Sequence, residues 1–384
     1  MRIGLVTSSW PLHPGDSRNA GVFVRSFALL LARQGHRVSV LVPRRAGPQG
    51  ADPELTVCRY GLPEPATSMT HLNVRRPDHA LRLGFLMLTG MSAAPWFGKG
   101  GRLDHVLAFW AIPSGVFAAR AARHAGCPYS VWVLGSDIWK AASYPAGEKI
   151  VHRILTGAAQ VYADGVTLGN DAAKLCGREV RYLASSRLLP LVPPRMDWGD
   201  GREHLLFVGR YHHHKGPDLL LQALELLDQG TLDRIRVHIH GEGPLEAGLR
   251  ERVAASPVLS AVVRFGGILG PEELSASLWA CRALLIPSRL ESVPVILSDA
   301  AQCNTPVICT DAGDVGDLVS RVDAGIVATA TDPAGFARAM VLALDRPRKS
   351  FEIGTDLLWR ELNLETSVER FLAGARAGRR AEHE

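Results

Sequence analysis

The sequence predicts an α/β protein built from two doubly wound parallel sheets, and three observations predict it. Short β-branched apolar runs alternate with helical stretches. The alternation stops at a proline-rich joint and restarts beyond it. The 384 residues suffice for two domains of ordinary size. With 47% of residues hydrophobic and 21% charged, each domain can fill its own core, and the chain is not of the disordered class.

In the first half the strand runs are 3–8, 37–42, 55–60, 105–109, 129–134 and 160–163, the β-α-β rhythm of a parallel sheet. Between the first two, residues 21–35 set Val22, Phe23, Phe27, Leu30 and Leu31 on one helical face and close at Gly35, which predicts a crossover helix. The joint reads Leu189-Pro190-Leu191-Val192-Pro193-Pro194 and is followed by a polar stretch over 197–204. It predicts a first domain over 1–195 and a second over 196–359. Strand runs resume at 205–209, 236–240, 262–266, 283–287, 306–310 and 325–328. Helices over 217–227 and 271–280 carry Pro in the first turn. The tail is helical over 366–377, and the segment from about 360 to 384 is expected to pack back on the first domain.

Several classes are disfavoured. No apolar run reaches the roughly 18 residues of a membrane-spanning helix. The first residues read as a strand without a small-residue cleavage site. Six scattered cysteines show no C-x-x-C pair and no histidine spacing for zinc, so they are expected as reduced core residues in a cytoplasmic protein that holds no metal. The net charge of +5 favours anionic partners such as nucleotide diphosphates, acidic lipid surfaces or nucleic acid. No nucleic-acid motif accompanies it, so nucleic acid is not an expected partner.

The sharpest motif is Glu291-Ser-Val-Pro-Val-Ile-Leu-Ser-Asp299, between a strand run and a helical segment. Eight residues advance a helix by about 800°, some 80° past two turns, so the carboxylates share one helical edge only loosely. Glu291 is therefore placed in the loop and Asp299 one to two turns into the helix. The backbone around Ser292, Val293, Pro294 and Val295 is then a helix N-terminus, which attracts phosphate. A carboxylate beside it suits sugar hydroxyls; the bland alternative is an acidic cap on an ordinary helix.

The second motif, Phe207-Val-Gly-Arg210-Tyr-His-His-His-Lys215-Gly216, sends a strand into a loop. Arg210 offers a bidentate fork and Lys215 a mobile point charge, which together match a diphosphate unless both are solvated surface cations. The consecutive His212, His213 and His214 point in different directions and make no metal face. Gly241 opens a turn at the carboxyl end of a strand, where ligands of such sheets sit. After the first strand, Gly15 and Gly21 let backbone approach a ligand, with Asp16 between them. Asp137, in Leu134-Gly-Ser-Asp137, lies near a cleft or caps the helix near Trp139. The apolar segment 81–97, beside Arg75, Arg76 and Arg82, suits an anionic membrane surface or a buried helix.

Together these features resemble glycosyltransferase family 4, with its E-x7-E motif, G-R-x(n)-K-G loop and glycine-bearing loop after the first strand. The most specific part is Glu291 to Ala300 followed by Cys303-Asn-Thr-Pro-Val-Ile308, and the resemblance covers nearly the whole chain. It implies the GT-B architecture, two Rossmann-like domains facing a central cleft, acceptor side first and donor side second. It implies retaining transfer from a UDP- or GDP-sugar to a hydroxyl of a glycan, lipid-linked sugar or small molecule, with no metal or other cofactor. Arg210 and Lys215 would hold the diphosphate, Glu291 the donor sugar and Asp299 the ribose. Gly241 and residues 292–295 would complete the donor site. Asp137 would stand by the reaction, and Gly15, Asp16 and Gly21 would face the acceptor. Two departures stand out: Asp299 is one methylene shorter than the usual Glu, and Leu134 occupies the place of a frequent histidine. A sugar-nucleotide epimerase or hydrolase on the same scaffold, or a non-catalytic nucleotide-sugar-binding protein, stays open.

Overall fold

The computed structural model describes residues 1–13, 16, 21–46, 50, 52–64, 76–98, 102–141, 146–190 and 198–381, with backbone alone for residues 64 and 378–381. The chain divides into two compact units, Met1–Ser185 joined by the terminal segment from Leu364, and Ser186–Asn363. The division falls upstream of the 195/196 boundary expected from the prolines, for a local reason. Arg187 bonds to Asp299 and the Leu189 amide donates to the Gln302 side chain (3.0 Å), so the chain has joined the second unit before the prolines begin.

The first unit is a 7-stranded sheet of β1 (Arg2–Thr7), β2 (Arg37–Arg45), β3 (Leu55–Glu64), β4 (His105–Phe109), β5 (Tyr129–Val133), β6 (Gln160–Ala163) and β7 (Arg181–Tyr182), in the order β3-β2-β1-β4-β5-β6-β7 with parallel neighbours. The two-residue β7 is too short to carry a periodicity and was not expected. The crossover helix Gly21–Arg33 buries Phe23, Val24, Phe27, Ala28 and Leu31, the three- and four-residue spacing of one helical face. Phe27 meets Phe109 and Trp132 edge-on at 5.8 and 5.5 Å. The terminal helix Leu364–Ala381 adds Phe371, fully buried, 5.6 Å from both Phe27 and His105. Burying one such ring stabilises by about 1.5–3 kcal/mol, which ties this helix to the first unit.

The second unit is a 6-stranded sheet of β8 (Glu203–Val208), β9 (Ile235–His240), β10 (Val263–Gly266), β11 (Ala283–Ile286), β12 (Val307–Cys309) and β13 (Gly325–Val327), ordered β10-β9-β8-β11-β12-β13, again parallel. Helices Pro217–Leu224 and Pro271–Ala280 each begin with proline, whose missing N–H has no intrahelical role there. In each unit the strand order reverses once, between β1 and β4 and between β8 and β11. Loops leaving the carboxyl ends of the two strands at such a reversal diverge to opposite faces of the sheet and leave a crevice.

The segment expected as apolar docking surface or buried helix is helix Pro77–Ala93, one side of which is buried and another exposed. Leu86 and Gly90 are buried, whereas Leu81, Phe85 and Leu88 are 76%, 41% and 71% exposed. Among the described residues no helix is long and apolar enough to cross a membrane. Cys176, Cys281, Cys303 and Cys309 are buried free thiols, and burial pushes those of Cys281 and Cys303 up to about 12.

Candidate functional site

The loops that follow β8 and β11 flank the reversal in the second unit, and they hold both sequence motifs. After β8 the chain passes through Arg210 to a single 3-10 turn, His213–Lys215, and then helix Pro217–Leu224. After β11 it passes through Ser288, Arg289 and Glu291 to helix Val295–Gln302. The two loops touch at Gly216, where φ is +70° and an added Cβ would lie 1.9 Å from the Pro287 carbonyl oxygen, so only glycine fits. Arg289 locks the contact. Its amide donates to the His214 carbonyl (2.8 Å), and its guanidinium donates to the His213 carbonyl and to both oxygens of Asp218 at 2.8–2.9 Å.

Across this junction the Lys215 ammonium donates to Glu291 Oε1, which also accepts from Ser288 Oγ (3.1 Å). The two charged side chains are 21% and 10% exposed, so the pair is largely screened from bulk water but not sealed from it. Arg210 is exposed, and its guanidinium makes no hydrogen bond or ion pair among the described residues. Burial, with the nearby Lys215 and Arg210, lowers the His214 pKa to about 4, so its ring stays neutral at pH 7 in a field set by the two cations.

A third loop joins them after β9. Gly241, at φ +142°, brings its Cα so close to Gly209 that a Cβ would meet the Gly209 carbonyl oxygen at 2.0 Å, and the Tyr211 amide donates to the Glu242 carbonyl (2.8 Å). The expected stretch Ser292, Val293, Pro294 and Val295 leads into helix Val295–Gln302, with Pro294 as its extended N-cap. The first amides of a helix lack intrahelical acceptors and carry the positive end of its dipole. Two cations and a helix N-terminus thus stand around one carboxylate, a setting that offsets phosphate charge and leaves an acceptor for hydroxyls.

Other expected site residues are placed differently. Asp299 lies one turn into its helix, as the spacing implied, but its carboxylate is fully buried and accepts three hydrogen bonds from Arg187, at 2.9, 3.2 and 2.7 Å. Shortened by one methylene, it is held inside the unit by a guanidinium and does not present itself to a ribose. Asp137 likewise faces inward: Oδ2 accepts from the Ala111 amide (2.7 Å) and Oδ1 from the Leu134 amide (3.1 Å). Burial raises its pKa to about 6 against these two bonds. It fastens the loop after β5 to the loop after β4, a positioning task rather than a catalytic one. Asp16 is buried and accepts from the Leu12 amide (2.9 Å), bracing its own loop. Gly21 heads the crossover helix with its Cα against Ser9, and Gly15 lies outside the described residues.

Arg187, Ser288 and Arg289 were not singled out in the sequence. Ser288 and Arg289 lie within three residues of Glu291 and were legible as polar residues at a strand end. Arg187 carried no such signal, being 112 positions from its partner. Among the described residues no group of three or more His, Cys, Asp or Glu side chains is arranged to hold a metal ion.

A profile of the family described as glycosyl transferases group 1 matches residues 202–346, the span that contains this site. The D-inositol 3-phosphate glycosyltransferase of Pseudarthrobacter chlorophenolicus is 29% identical over 223 residues, 53% of this chain and 51% of that protein. The chain thus spans about half the length of that curated relative, and 33% and 37% of two others that bear the same description. Among solved structures, sucrose-phosphate synthase of Thermosynechococcus elongatus aligns with a TM-score of 0.76 at 17% identity, covering 99% of this chain and 100% of that one. HepE of Anabaena in complex with UDP aligns with a TM-score of 0.71 at 16% identity, covering 98% and 100%.

Proposed function

We propose, for a chain that belongs with the family 4-type glycosyltransferases of GT-B fold, that the second unit holds the diphosphate of a nucleotide sugar. The chain then transfers that sugar, with retention at the anomeric carbon, to an acceptor hydroxyl. The observation that carries this reading is the Lys215–Glu291 pair at the junction of the two loops that flank the strand-order reversal. Lys215 and Arg210 meet the diphosphate, the N-terminus of helix Val295–Gln302 adds its dipole, and Glu291 accepts from hydroxyls of the donor sugar. As the bond from the anomeric carbon to the diphosphate breaks, negative charge grows on the leaving group. Fixed cations and amides aimed at such charge are usually the largest catalytic contribution. The acceptor oxygen bonds to the same face and gives up its proton to the departing diphosphate. In this reading the cations of the site, rather than a divalent metal, offset the leaving-group charge. That HepE was solved with UDP supports a nucleoside diphosphate as the first probe.

The test is a thermal-shift screen against UDP, GDP, ADP and their sugar conjugates, with Lys215→Ala as control. A ligand at a hundred times its Kd stabilises by about 2.7 kcal/mol. One nucleotide is expected to raise the melting temperature selectively, with the shift lost in Lys215→Ala. Transfer from its sugar conjugate is expected to keep the anomeric configuration and to survive EDTA. If no nucleotide shifts the melting temperature, the proposed donor site is wrong.

The same reading includes a peripheral contact with an anionic membrane through helix Pro77–Ala93. Its exposed Leu81, Phe85 and Leu88, at positions i, i+4 and i+7, form one apolar stripe with Arg76 and Arg82 beside it. Flotation with vesicles rich in acidic lipid is expected to carry the protein upward, and Leu81→Asp with Leu88→Asp to abolish this. Wild-type protein that stays at the bottom of the gradient removes the membrane contact.

A further inference from the structure

The second unit also holds a pocket away from the loops proposed to bind the donor. A cavity of about 650 Å³ opens at the opposite edge of the sheet, where β8 and β11 begin. That volume falls within the range of small-molecule sites, about 300–1,000 Å³. Its lining brings four arginines, Arg202, Arg282, Arg346 and Arg348, against two carboxylates, Glu203 and Asp345, an excess of two positive charges before any histidine is counted.

Some of this charge is already committed. Arg346 forms a two-pronged pair with Asp323 at 2.9 and 2.8 Å and stacks over Phe351. Arg282, only 7% exposed, donates Nη2 to the carbonyls of Ala343 (2.6 Å) and Arg346. Its Nε stands 3.6 Å from Glu203. Arg348 donates to the Trp279 carbonyl (2.9 Å) and the Asn304 carbonyl (3.2 Å). Yet Arg282 Nη1 and Arg348 Nε are both buried without a hydrogen-bond partner. The half-buried Arg202 likewise makes no side-chain bond or ion pair among the described residues. A buried donor left unpaired carries the full penalty of its lost hydration, and more when charged. Burial lowers the Arg282 pKa, Glu203 opposing this and Arg348 and Arg234 adding to it, as expected where like charges face one another.

We propose that this pocket is a second, anion-binding site whose ligand is a phosphate-bearing small molecule, bound by the half-buried Arg202 with Arg282 and Arg348 supplying positive charge from the wall. The chemistry selects phosphate over carboxylate. A phosphate monoester dianion matches the charge excess and presents three strong acceptor oxygens to an arginine-lined wall. A carboxylate brings one charge and two oxygens. Trp198, stacked on His204 at 4.7 Å, supplies a flat apolar wall for the rest of the molecule. Because the pocket lies at the amino-terminal ends of β8 and β11, its ligand does not compete with a nucleotide at their carboxyl ends. It is suited to regulation or to a distinct substrate group.

Calorimetric titration of the full chain with inorganic phosphate and with glycerol 2-phosphate, at constant ionic strength, tests the site. Saturable binding is expected in the wild type and within about twofold in Lys215→Ala, whose lesion is at the other edge of the sheet. It is expected to weaken at least tenfold in Arg202→Glu, a half-buried position whose side chain supports no internal bond. Arg360→Glu, 73% exposed on helix Glu352–Leu362, controls for net charge and is expected to leave binding unchanged. The site is overturned if the wild type shows no saturable binding. It is equally overturned if Lys215→Ala removes binding while Arg202→Glu keeps it, or if both charge reversals weaken binding alike.

Discussion

Lys215→Ala and Glu291→Ala are each expected to cut sugar transfer by about 10²–10³, the effect of removing one preorganised contact to developing charge. The two side chains meet across the junction of the loops after β8 and β11, and neither belongs to the apolar core of the unit. Both variants are therefore expected to keep a folded circular dichroism spectrum. The kinetics separate two roles. In the proposed reading Lys215 attracts the diphosphate in the ground state and more strongly as charge develops on it, so its loss is expected to raise KM and lower kcat. Glu291 holds the ammonium in place and, in the same reading, touches the sugar whose bond is broken, so its loss is expected to fall mainly on kcat. Initial rates with the nucleotide sugar that stabilises the wild type measure both. Near-normal turnover in both variants would mean that the junction is an ordinary interior ion pair and that the proposed chemistry lies elsewhere.

Breaking the Arg187–Asp299 pair is expected to have the largest effect on stability. Asp299 is fully buried and the Arg187 side chain is 11% exposed. Removing one member leaves the other as an uncompensated buried charge, which costs about 3–5 kcal/mol. For a unit of this size that corresponds to a fall in melting temperature of roughly 6–20 °C, expected for Arg187→Met and for Asp299→Leu singly. The double variant is expected to recover most of the loss, because apolar side chains of similar volume replace a buried pair at little cost. Its nucleotide affinity is expected to stay within about threefold of wild type. A carboxylate that bonded the ribose would be worth about 1.5–3 kcal/mol, or roughly ten- to hundredfold in Kd. A loss of that size in the double variant would return Asp299 to the ribose.

This pair also marks where local inference stops. Strands such as 105–109 and 160–163 were legible because a short apolar run reports burial over a few positions, and proline at the head of helices 217–224 and 271–280 reports a first turn without any partner. Glu291 in its loop and the cations on the loop after β8 were legible too, since a strand end followed by charged residues is itself a local pattern. The carboxylate of Asp299 looked the same in sequence as one that faces a ligand.

What the amino-acid sequence determined by itself was therefore the two-sheet α/β fold and the loops that carry the candidate site. Only the tertiary structure decided what each charge is doing. It turned Asp299 inward onto Arg187, bonded Asp137 to the amide of Ala111, moved the unit boundary to Ser185/Ser186, and gathered Arg202, Arg282 and Arg348 from three segments around one pocket. The reason is one of range. Periodicity and turn chemistry act over a few residues, whereas the role of a charge is set by its partner and its exposure to water, and both are supplied by segments remote in the chain.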